Sequence, residues 1–193
     1  MIRLATEADI PAILDIYGPY VQTTAISFEY TVPTLEVFTQ RFRNITAQFP
    51  WLVWEENGEV LGYAYGSAPF ERAAFGWCSE ASIYLRPDAR GRGIGKALYA
   101  VLEALMRLQG YVKVYVLVTS ANQPSVDFHL ACGYRHTACL PGCGFKFGNW
   151  YDLFWMEKML NSVEMPTNPP IPFPAIVEID RKFHEILEDL SLS

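Results

Sequence analysis

The stretch Arg90-Gly91-Arg92-Gly93-Ile94-Gly95-Lys96 decides the fold, because it joins a strand-like run to an amphipathic helix. The strand-like run before it is Ser82-Ile83-Tyr84-Leu85. After it, apolar residues recur at the spacing of a helix with one buried face, at Leu98, Val101, Leu102 and Leu105. A glycine-rich turn therefore opens a helix.

This turn has the chemistry of a phosphate site. Its glycines let the backbone approach a ligand closely, and the free N–H groups of a first helical turn attract phosphate oxygens. Arg90, Arg92 and Lys96 add positive charge at the same point. We predict a pyrophosphate cradle formed by Arg90, Gly91, Arg92, Gly93, Ile94, Gly95 and Lys96.

Two common phosphate motifs do not fit this turn. A P-loop requires a second glycine followed by Lys and Ser or Thr, but here Lys96 is followed by Ala97 and the glycine spacing is wrong. A dinucleotide fingerprint requires G-x-G-x-x-G, whereas Gly91, Gly93 and Gly95 run G-x-G-x-G. On the pattern alone, a tight surface loop with solvated basic residues stays open.

The order Arg90-x-x-Gly93-x-Gly95 resembles the Q/R-x-x-G-x-G/A signature of the GNAT superfamily of acetyl-CoA-dependent acyltransferases. Residues 122–134 are similar to the second cofactor-side segment of that superfamily. Residues 144–152 resemble the C-terminal segment of its phosphinothricin and methionine sulfoximine acetyltransferase branch. The resemblance covers roughly residues 1–159. It implies an α+β GNAT fold, with a mostly antiparallel central sheet flanked by helices.

Length and composition agree with one globular domain and disfavour several function classes. The chain has 193 residues, of which 51% are hydrophobic. Its net charge of −6 disfavours a nucleic-acid partner, because phosphate binding needs a basic surface. No apolar run reaches the roughly 18 residues that a membrane span needs, and the N-terminus lacks a signal-peptide core. We therefore expect a cytoplasmic protein without a membrane partner.

The four cysteines are Cys78, Cys132, Cys139 and Cys143. Their spacing does not match a zinc site, so we expect no metal. Cys139 and Cys143 remain a weak metal or redox alternative to free thiols in a reducing compartment. We interpret all four as structural.

Local signals predict a mixed sheet. Thr6-Glu7-Ala8-Asp9 has the form of a helix start, and Gly18-Pro19 is expected to bend or end that helix. Asn57-Gly58 between two β-type runs predicts a hairpin. A final hairpin is expected to pair residues 134–145 with residues 150–158.

The resemblance assigns the cofactor contacts. Acetyl-CoA, as co-substrate, would lay its pantetheine arm along the backbone of Ile83, Tyr84 and Leu85, as an added strand does. Its pyrophosphate would bind the N–H groups from Gly91 to Lys96. Asn122 would contact the cofactor from the second segment, although a role in capping the following helix stays open.

Amine acetylation requires a base, an oxyanion donor and a proton for the leaving thiolate. Glu80 lies in a strand of otherwise apolar and small residues and matches the branch's proposed catalytic glutamate. Burial would raise its pKa into a useful range, whereas a solvent-facing Glu80 is the alternative. We assign the oxyanion donor to the backbone near Tyr84. His129 would be the general acid with a pKa near neutrality, or else a structural histidine.

The acceptor site is inferred from the branch. Arg72 matches its substrate arginine and could bind a carboxylate through two hydrogen bonds; a solvated loop charge is the alternative. Phe28 and Glu29 are candidates for the substrate wall, or are simply packed. Some herbicide-detoxifying members carry histidines where this chain has Phe147 and Tyr151, which favours a broader amino-acid acceptor over phosphinothricin.

The chain divides into a GNAT domain at 1–160, a proline-rich linker at 161–174 and an amphipathic helix at 175–193. We expect this helix to dock on the domain or to bridge a homodimer, since its apolar face must be covered. It is acidic, which argues against a membrane surface.

The predicted function is acetyl-CoA-dependent N-acetylation of a small amino acid or analogue, such as methionine sulfoximine, methionine sulfone or phosphinothricin, through a ternary complex. Two other functions stay open on the same fold. One is a protein N-terminal or lysine acetyltransferase, and the other is a non-catalytic acetyl-CoA-binding module.

Overall fold

A computed structural model describes residues 1–162, 168–176 and 178–191. Its seven strands form one sheet in the order β1-β2-β3-β4-β5-β7-β6. The strands are β1 (Ile2–Leu4), β2 (Trp51–Glu56), β3 (Glu59–Ser67), β4 (Cys78–Leu85), β5 (Lys113–Thr119), β6 (Arg135–Lys146) and β7 (Asn149–Met159). Neighbouring strands are antiparallel except β4 and β5, which are parallel. The predicted mixed, mostly antiparallel sheet is confirmed.

The described residues form five helices. They are α1 (Ile10–Thr23), α2 (Leu35–Thr46), α3 (Ile94–Gln109), α4 (Gln123–Ala131) and α5 (Ile179–Ser191). One core lies between the sheet and α3, and a second, rich in aromatic residues, lies between the sheet and α1 and α2. Within the described ranges, no helix is long and apolar enough to traverse a bilayer.

The hairpin predicted at Asn57-Gly58 is confirmed between β2 and β3. Asn57 has φ 51° and Gly58 has φ 81°. A two-residue turn with both φ angles positive matches the right-handed twist of the paired strands.

The start of α1 is as predicted, but its end is not. The Thr6 backbone N–H donates to Asp9 Oδ2 at 2.8 Å, and a single 3₁₀ turn at Glu7–Asp9 leads into α1. Of the two alternatives for Gly18-Pro19, that it bends or ends the helix, the second is wrong, because α1 continues through Pro19 to Thr23. A proline removes one backbone hydrogen bond, whereas ending here would expose Tyr20 and Val21, which are buried in the second core.

The C-terminal part of the chain packs on α3. Phe173, Ile176 and Phe183 are buried in the same core as that helix. The Gln109 side-chain amide donates to the carbonyls of Gln48 and Ile171, at 2.7 and 2.9 Å. The helix therefore docks on its own chain. Residues 163–167 of the predicted linker, with residues 177 and 192–193 of the predicted helix, lie outside the described residues.

Candidate active site

A gap between β4 and β5 forms the centre of the site. The two strands pair only where Cys78–Glu80 face Lys113–Tyr115, and then diverge. The cavity beyond this point is lined by residues of β4, β5, α3 and α4: Ala81, Ser82, Ile83, Tyr84, Tyr99, Val116, Leu117, Val118, Thr119, Asn122, Ser125 and His129, together with Ile26. Four of the predicted site residues are thus brought together, namely Ile83, Tyr84, Asn122 and His129.

The register of β3 and β4 decides which backbone groups point into the gap. The Arg86 N–H donates to the Leu61 carbonyl at 2.9 Å, and the register continues without a shift to Tyr63 opposite Tyr84. Since hydrogen-bonded pairs alternate in an antiparallel ladder, the Tyr84 amide points toward β3. The amides of Ile83 and Leu85 point toward the gap. The Tyr84 amide itself is therefore not the oxyanion donor predicted near this residue, whereas the neighbouring Ile83 amide points into the gap and is a candidate for that role.

The glycine-rich turn forms the predicted N-terminus of α3. Gly91 and Gly93 have φ 71° and 81°, in the left-handed region. Gly93 immediately precedes α3, and no side chain caps the first turn, so its N–H groups stay available to an anion. Gly95 is buried, and a Cβ there would lie 3.3 Å from the Phe128 ring. Glycine thus lets the first turn of α3 lie close against α4.

The basic residues of this turn have different partners. Arg92 binds the Glu56 carboxylate at 2.6 and 2.8 Å. Arg90 donates to the Tyr20 hydroxyl at 2.7 Å, and its guanidinium lies over the Tyr20 ring. Lys96 is exposed. The turn therefore combines free amides with positive charge, which fits a pyrophosphate group.

We expect Gly93→Ala to weaken acetyl-CoA binding about fivefold to thirtyfold, because a left-handed non-glycine residue costs about 1–2 kcal/mol and shifts the first turn of α3. Gly58→Ala is the matched control, since Gly58 has the same φ of 81° in a distant hairpin. Calorimetry with acetyl-CoA and thermal melts would separate the two effects. If the two variants lose the same stability and bind acetyl-CoA with the same affinity, the assignment of residues 90–96 as the cradle is contradicted.

Glu80 is the last residue of β4 that pairs with β5, opposite Tyr115. It shares a face of the sheet with Ser82 and Tyr84 because side chains alternate along a strand. Burial raises the pKa of Glu80 to about 7. A carboxyl group with this pKa is partly ionised at neutral pH and can accept a proton from an ammonium group.

His129 is 3% exposed and lines the cavity. Its Nδ1 donates to the Ser125 carbonyl at 2.6 Å, which leaves Nε2 to accept from the Tyr99 hydroxyl at 3.0 Å. Burial lowers the pKa of His129 to about 4. The prediction of a pKa near neutrality is wrong, because among the described residues the imidazole has no carboxylate partner to offset its loss of solvent.

Asn122 immediately precedes α4. Its side chain makes no capping hydrogen bond, whereas its backbone carbonyl accepts from the Ser125 N–H at 3.0 Å. The alternative of a side-chain cap is therefore excluded. Its carboxamide lines the cavity and is available to a ligand.

The predicted wall residues lie in the loop between α1 and α2, which we call the wall loop, residues 24–34. Glu29 binds Arg41 at 2.5 Å and accepts from the Tyr17 hydroxyl at 3.1 Å. Phe28 is half-buried, and its ring lies so close to Gly144 of β6 that a Cβ there would be 2.3 Å away. The wall loop is thus held by α1 and α2 through Glu29 and by β6 through Phe28.

Arg72 lies in the loop between β3 and β4. This loop is anchored by Phe70, whose ring stacks on Trp155 at 5.4 Å and meets Tyr115 edge-on at 6.0 Å. Since Tyr115 is the cross-strand neighbour of Glu80, the loop lies on the same side of the sheet as the carboxyl group. Arg72 is exposed and makes no ion pair with another described residue. Its guanidinium is free to bind an anion.

Sequence reasoning missed Tyr99, Ser125 and Lys146. Tyr99 follows Leu98 on the buried side of α3. It would have been included if the predicted apolar face had been extended by one position. Ser125 contributes a carbonyl and carries no motif of its own. Lys146 is only 2% exposed, which its position in an alternating hairpin does not indicate.

Comparison with known proteins gives a consistent result. A family model described as an acetyltransferase (GNAT) domain matches residues 2–155. The phosphinothricin N-acetyltransferase of Streptomyces viridochromogenes is 33% identical over 92% of this chain and 95% of its own length. An L-methionine sulfoximine/L-methionine sulfone acetyltransferase of Pseudomonas aeruginosa is 37% identical over 83% and 94%. The crystal structure of a phosphinothricin acetyltransferase from Sinorhizobium meliloti with acetyl-CoA superposes with a TM-score of 0.85, at 34% identity over 90% and 96%.

Proposed function

Since the chain belongs to the GNAT acetyltransferase family, we propose that it transfers the acetyl group of acetyl-CoA to the α-amino group of a small amino acid or analogue. The chain is an acetyl-CoA-dependent N-acetyltransferase with the GNAT fold. The observation that carries the proposed chemistry is Glu80, a half-buried carboxyl group beside the gap with a pKa of about 7.

The gap and the cradle fit acetyl-CoA. The Leu85 amide, which also points into the gap, supplies a strand-like donor for the pantetheine arm. The uncapped first turn of α3 supplies donors for the pyrophosphate, and the free Asn122 carboxamide adds a contact from the other wall. Acetyl-CoA contributes the thioester, and the remaining steps depend on the protein's own residues.

The reaction then follows from the positions of these groups. Glu80 accepts a proton from the substrate ammonium, which frees the nitrogen to attack the thioester carbonyl. The Ile83 amide in the gap stabilises the oxyanion. The C–S bond breaks and the CoA thiolate leaves, while the nitrogen gives up its remaining extra proton to the thiolate or to water, so that a neutral amide and CoA are formed. A thiol pKa of about 8.5 makes this thiolate a stable leaving group, so a protonated His129 is not required.

The acceptor class follows from charge and from the family. Arg72 provides a free cation in a loop on the same side of the sheet as Glu80, which suits an α-amino acid whose carboxylate binds Arg72 while its amine faces the base. Relatives are named for phosphinothricin and for methionine sulfoximine or sulfone. Phe147 is exposed and Tyr151 is half-buried, and neither adds a cation for a phosphinic group. We therefore favour a neutral amino-acid side chain over phosphinothricin.

A panel of acceptors tests the proposal. CoA release would be followed with methionine sulfoximine, methionine sulfone, phosphinothricin, common amino acids and short peptides. Turnover confined to small amino acids and analogues supports the proposed function. Turnover of peptides alone would indicate a protein acetyltransferase. Binding of acetyl-CoA without turnover of any acceptor would indicate a binding module.

We propose that the enzyme is a homodimer that uses the β6–β7 hairpin. Four aromatic side chains on and beside this hairpin are exposed, namely Tyr30, Phe145, Phe147 and Trp150. β6 is also an edge strand of the sheet. An exposed aromatic patch beside an open edge suits self-association better than solvent.

Light scattering should therefore give twice the chain mass of 21.9 kDa. We expect Trp150→Glu to shift the mass toward that of the monomer, since it buries a charge in the interface. Leu190→Glu is the control, because Leu190 is an exposed residue of α5, away from the hairpin. A monomeric native protein would refute the dimer.

The exposure of the cysteine thiols indicates which cellular compartment suits the protein. All four are free thiols, and Cys139 and Cys143 are exposed. Exposed thiols remain reduced in the cytosol and tend to oxidise outside it. We therefore propose a cytoplasmic location.

A further inference from the structure

Lys146, the last residue of β6, is 2% exposed. Buried lysines are rare unless they are paired. Its ammonium group donates to the carbonyls of Val21 and Ser27, both at 2.7 Å. Neither partner carries a charge. Burial lowers the pKa of Lys146, and the nearby Glu29 carboxylate favours the charged form.

The two carbonyls belong to different parts of the chain. Val21 lies in the last turn of α1, where backbone carbonyls lack a helical partner and the helix dipole favours a cation. Ser27 lies in the wall loop, immediately before Phe28. One ammonium group thus fixes the end of α1 and the start of the wall.

Two neighbouring contacts join the same segments. The Phe28 ring lies against the backbone of Gly144, and the Tyr30 hydroxyl donates to the Phe145 carbonyl. Three successive residues of β6 therefore hold the wall loop. Lys146 provides the only ammonium or guanidinium donor in these contacts among the described residues.

We propose that Lys146 is a positioning residue, which sets the acceptor wall by tying Ser27 to the end of α1. The inference rests on the proposed function, because it assigns the wall loop to the acceptor site. Lys146 acts through Phe28 and Glu29 and does not take part in the chemistry. The cradle for acetyl-CoA is at the start of α3 and has no contact with Lys146 in the described structure.

Lys146→Met keeps the length of the side chain but leaves two buried carbonyls without a donor. We expect the KM for the acceptor to rise about fivefold and the KM for acetyl-CoA to change less than twofold, because an unsatisfied buried carbonyl favours a shifted loop. Hydrogen exchange should become faster in residues 24–34 and stay unchanged in α3.

Lys158→Met is the matched control. Lys158 donates to the Cys132 carbonyl at 2.7 Å and to Glu103 at 2.6 Å, far from the wall loop. An equal rise in acceptor KM for both variants, or unchanged exchange in residues 24–34 of Lys146→Met, would overturn the proposal. The exchange measurement needs no turnover, so it separates this proposal from a failure of the proposed function.

Gly144→Ala is the second variant and tests the wall loop if Lys146→Met does not fold. Its Cβ would lie 2.3 Å from the Phe28 ring and displace the wall without touching the ammonium group. A similar rise in acceptor KM supports the role of this contact region. An acceptor KM equal to that of the native enzyme would show that the wall loop does not set the acceptor site.

Discussion

Glu80→Gln is expected to lower kcat by a factor of about 10²–10⁴, which is the usual contribution of a positioned general base. The amide keeps the size of the side chain but cannot accept a proton from the substrate ammonium. Affinity for acetyl-CoA should not change, since the cradle and the Ile83 and Leu85 amides are intact. Steady-state kinetics combined with calorimetry would measure both quantities.

The pH profile gives this prediction a second readout. The base must be ionised, so kcat/KM of the native enzyme should rise with pH and reach half its plateau at about 7, the pKa of Glu80. The variant should lack this inflection. A profile that keeps the inflection in Glu80→Gln would assign the titration to another group and remove Glu80 as the base.

A loss of stability is not expected to explain the lower activity of Glu80→Gln. Burial raises the pKa of Glu80, so the folded state binds more protons than the unfolded state between their two pKa values. The free energy of unfolding of the native enzyme therefore falls as pH rises from 4.5 through about 7. A neutral glutamine avoids this cost, so Glu80→Gln should melt no lower than the native protein at pH 8.

The features that the sequence predicts well are those that depend on local chemistry. The glycines and basic residues at 90–96, the Asn57-Gly58 turn and the carboxyl group in an apolar strand each determine their surroundings within a few residues. Glu80 is the clearest case, because a lone acidic residue among apolar and small neighbours loses part of its solvent when the strand pairs on both sides.

The wrong predictions depend on contacts that no local pattern encodes. The direction of the Tyr84 amide is set by its register with β3, and the pKa of His129 by the extent of its burial under α3. Lys146 meets Val21 across 125 positions of sequence. The family resemblance could therefore point to Tyr84 and His129, but it did not single out Lys146, and it could not state the protonation or the partners of any of them.

Arg72→Ala is expected to reduce kcat/KM for an α-amino acid acceptor by about 10- to 100-fold, because a hydrogen-bonded ion pair to a substrate carboxylate contributes about 1.5–3 kcal/mol. Arg72 has no ion-pair partner among the described residues, so its loss leaves no protein carboxylate unpaired. The KM for acetyl-CoA should be unchanged. Arg43→Ala is the matched control. Arg43 is an exposed arginine of α2 that forms an ion pair with Glu7, and its loss should not change the acceptor kinetics.

The acceptor can be altered as well as the enzyme. For the amine that corresponds to the same amino acid without its carboxylate, the native enzyme and Arg72→Ala should have the same kcat/KM, since the guanidinium then has nothing to bind. The difference between the two acceptors isolates the contact from any general effect of the mutation on the loop. If Arg72→Ala slows both acceptors equally, the residue shapes the loop and the carboxylate is bound elsewhere. If only the amino acid is slowed, Arg72 selects acceptors that carry a carboxylate beside the amine, which is the property that separates this enzyme from one acting on lysine side chains.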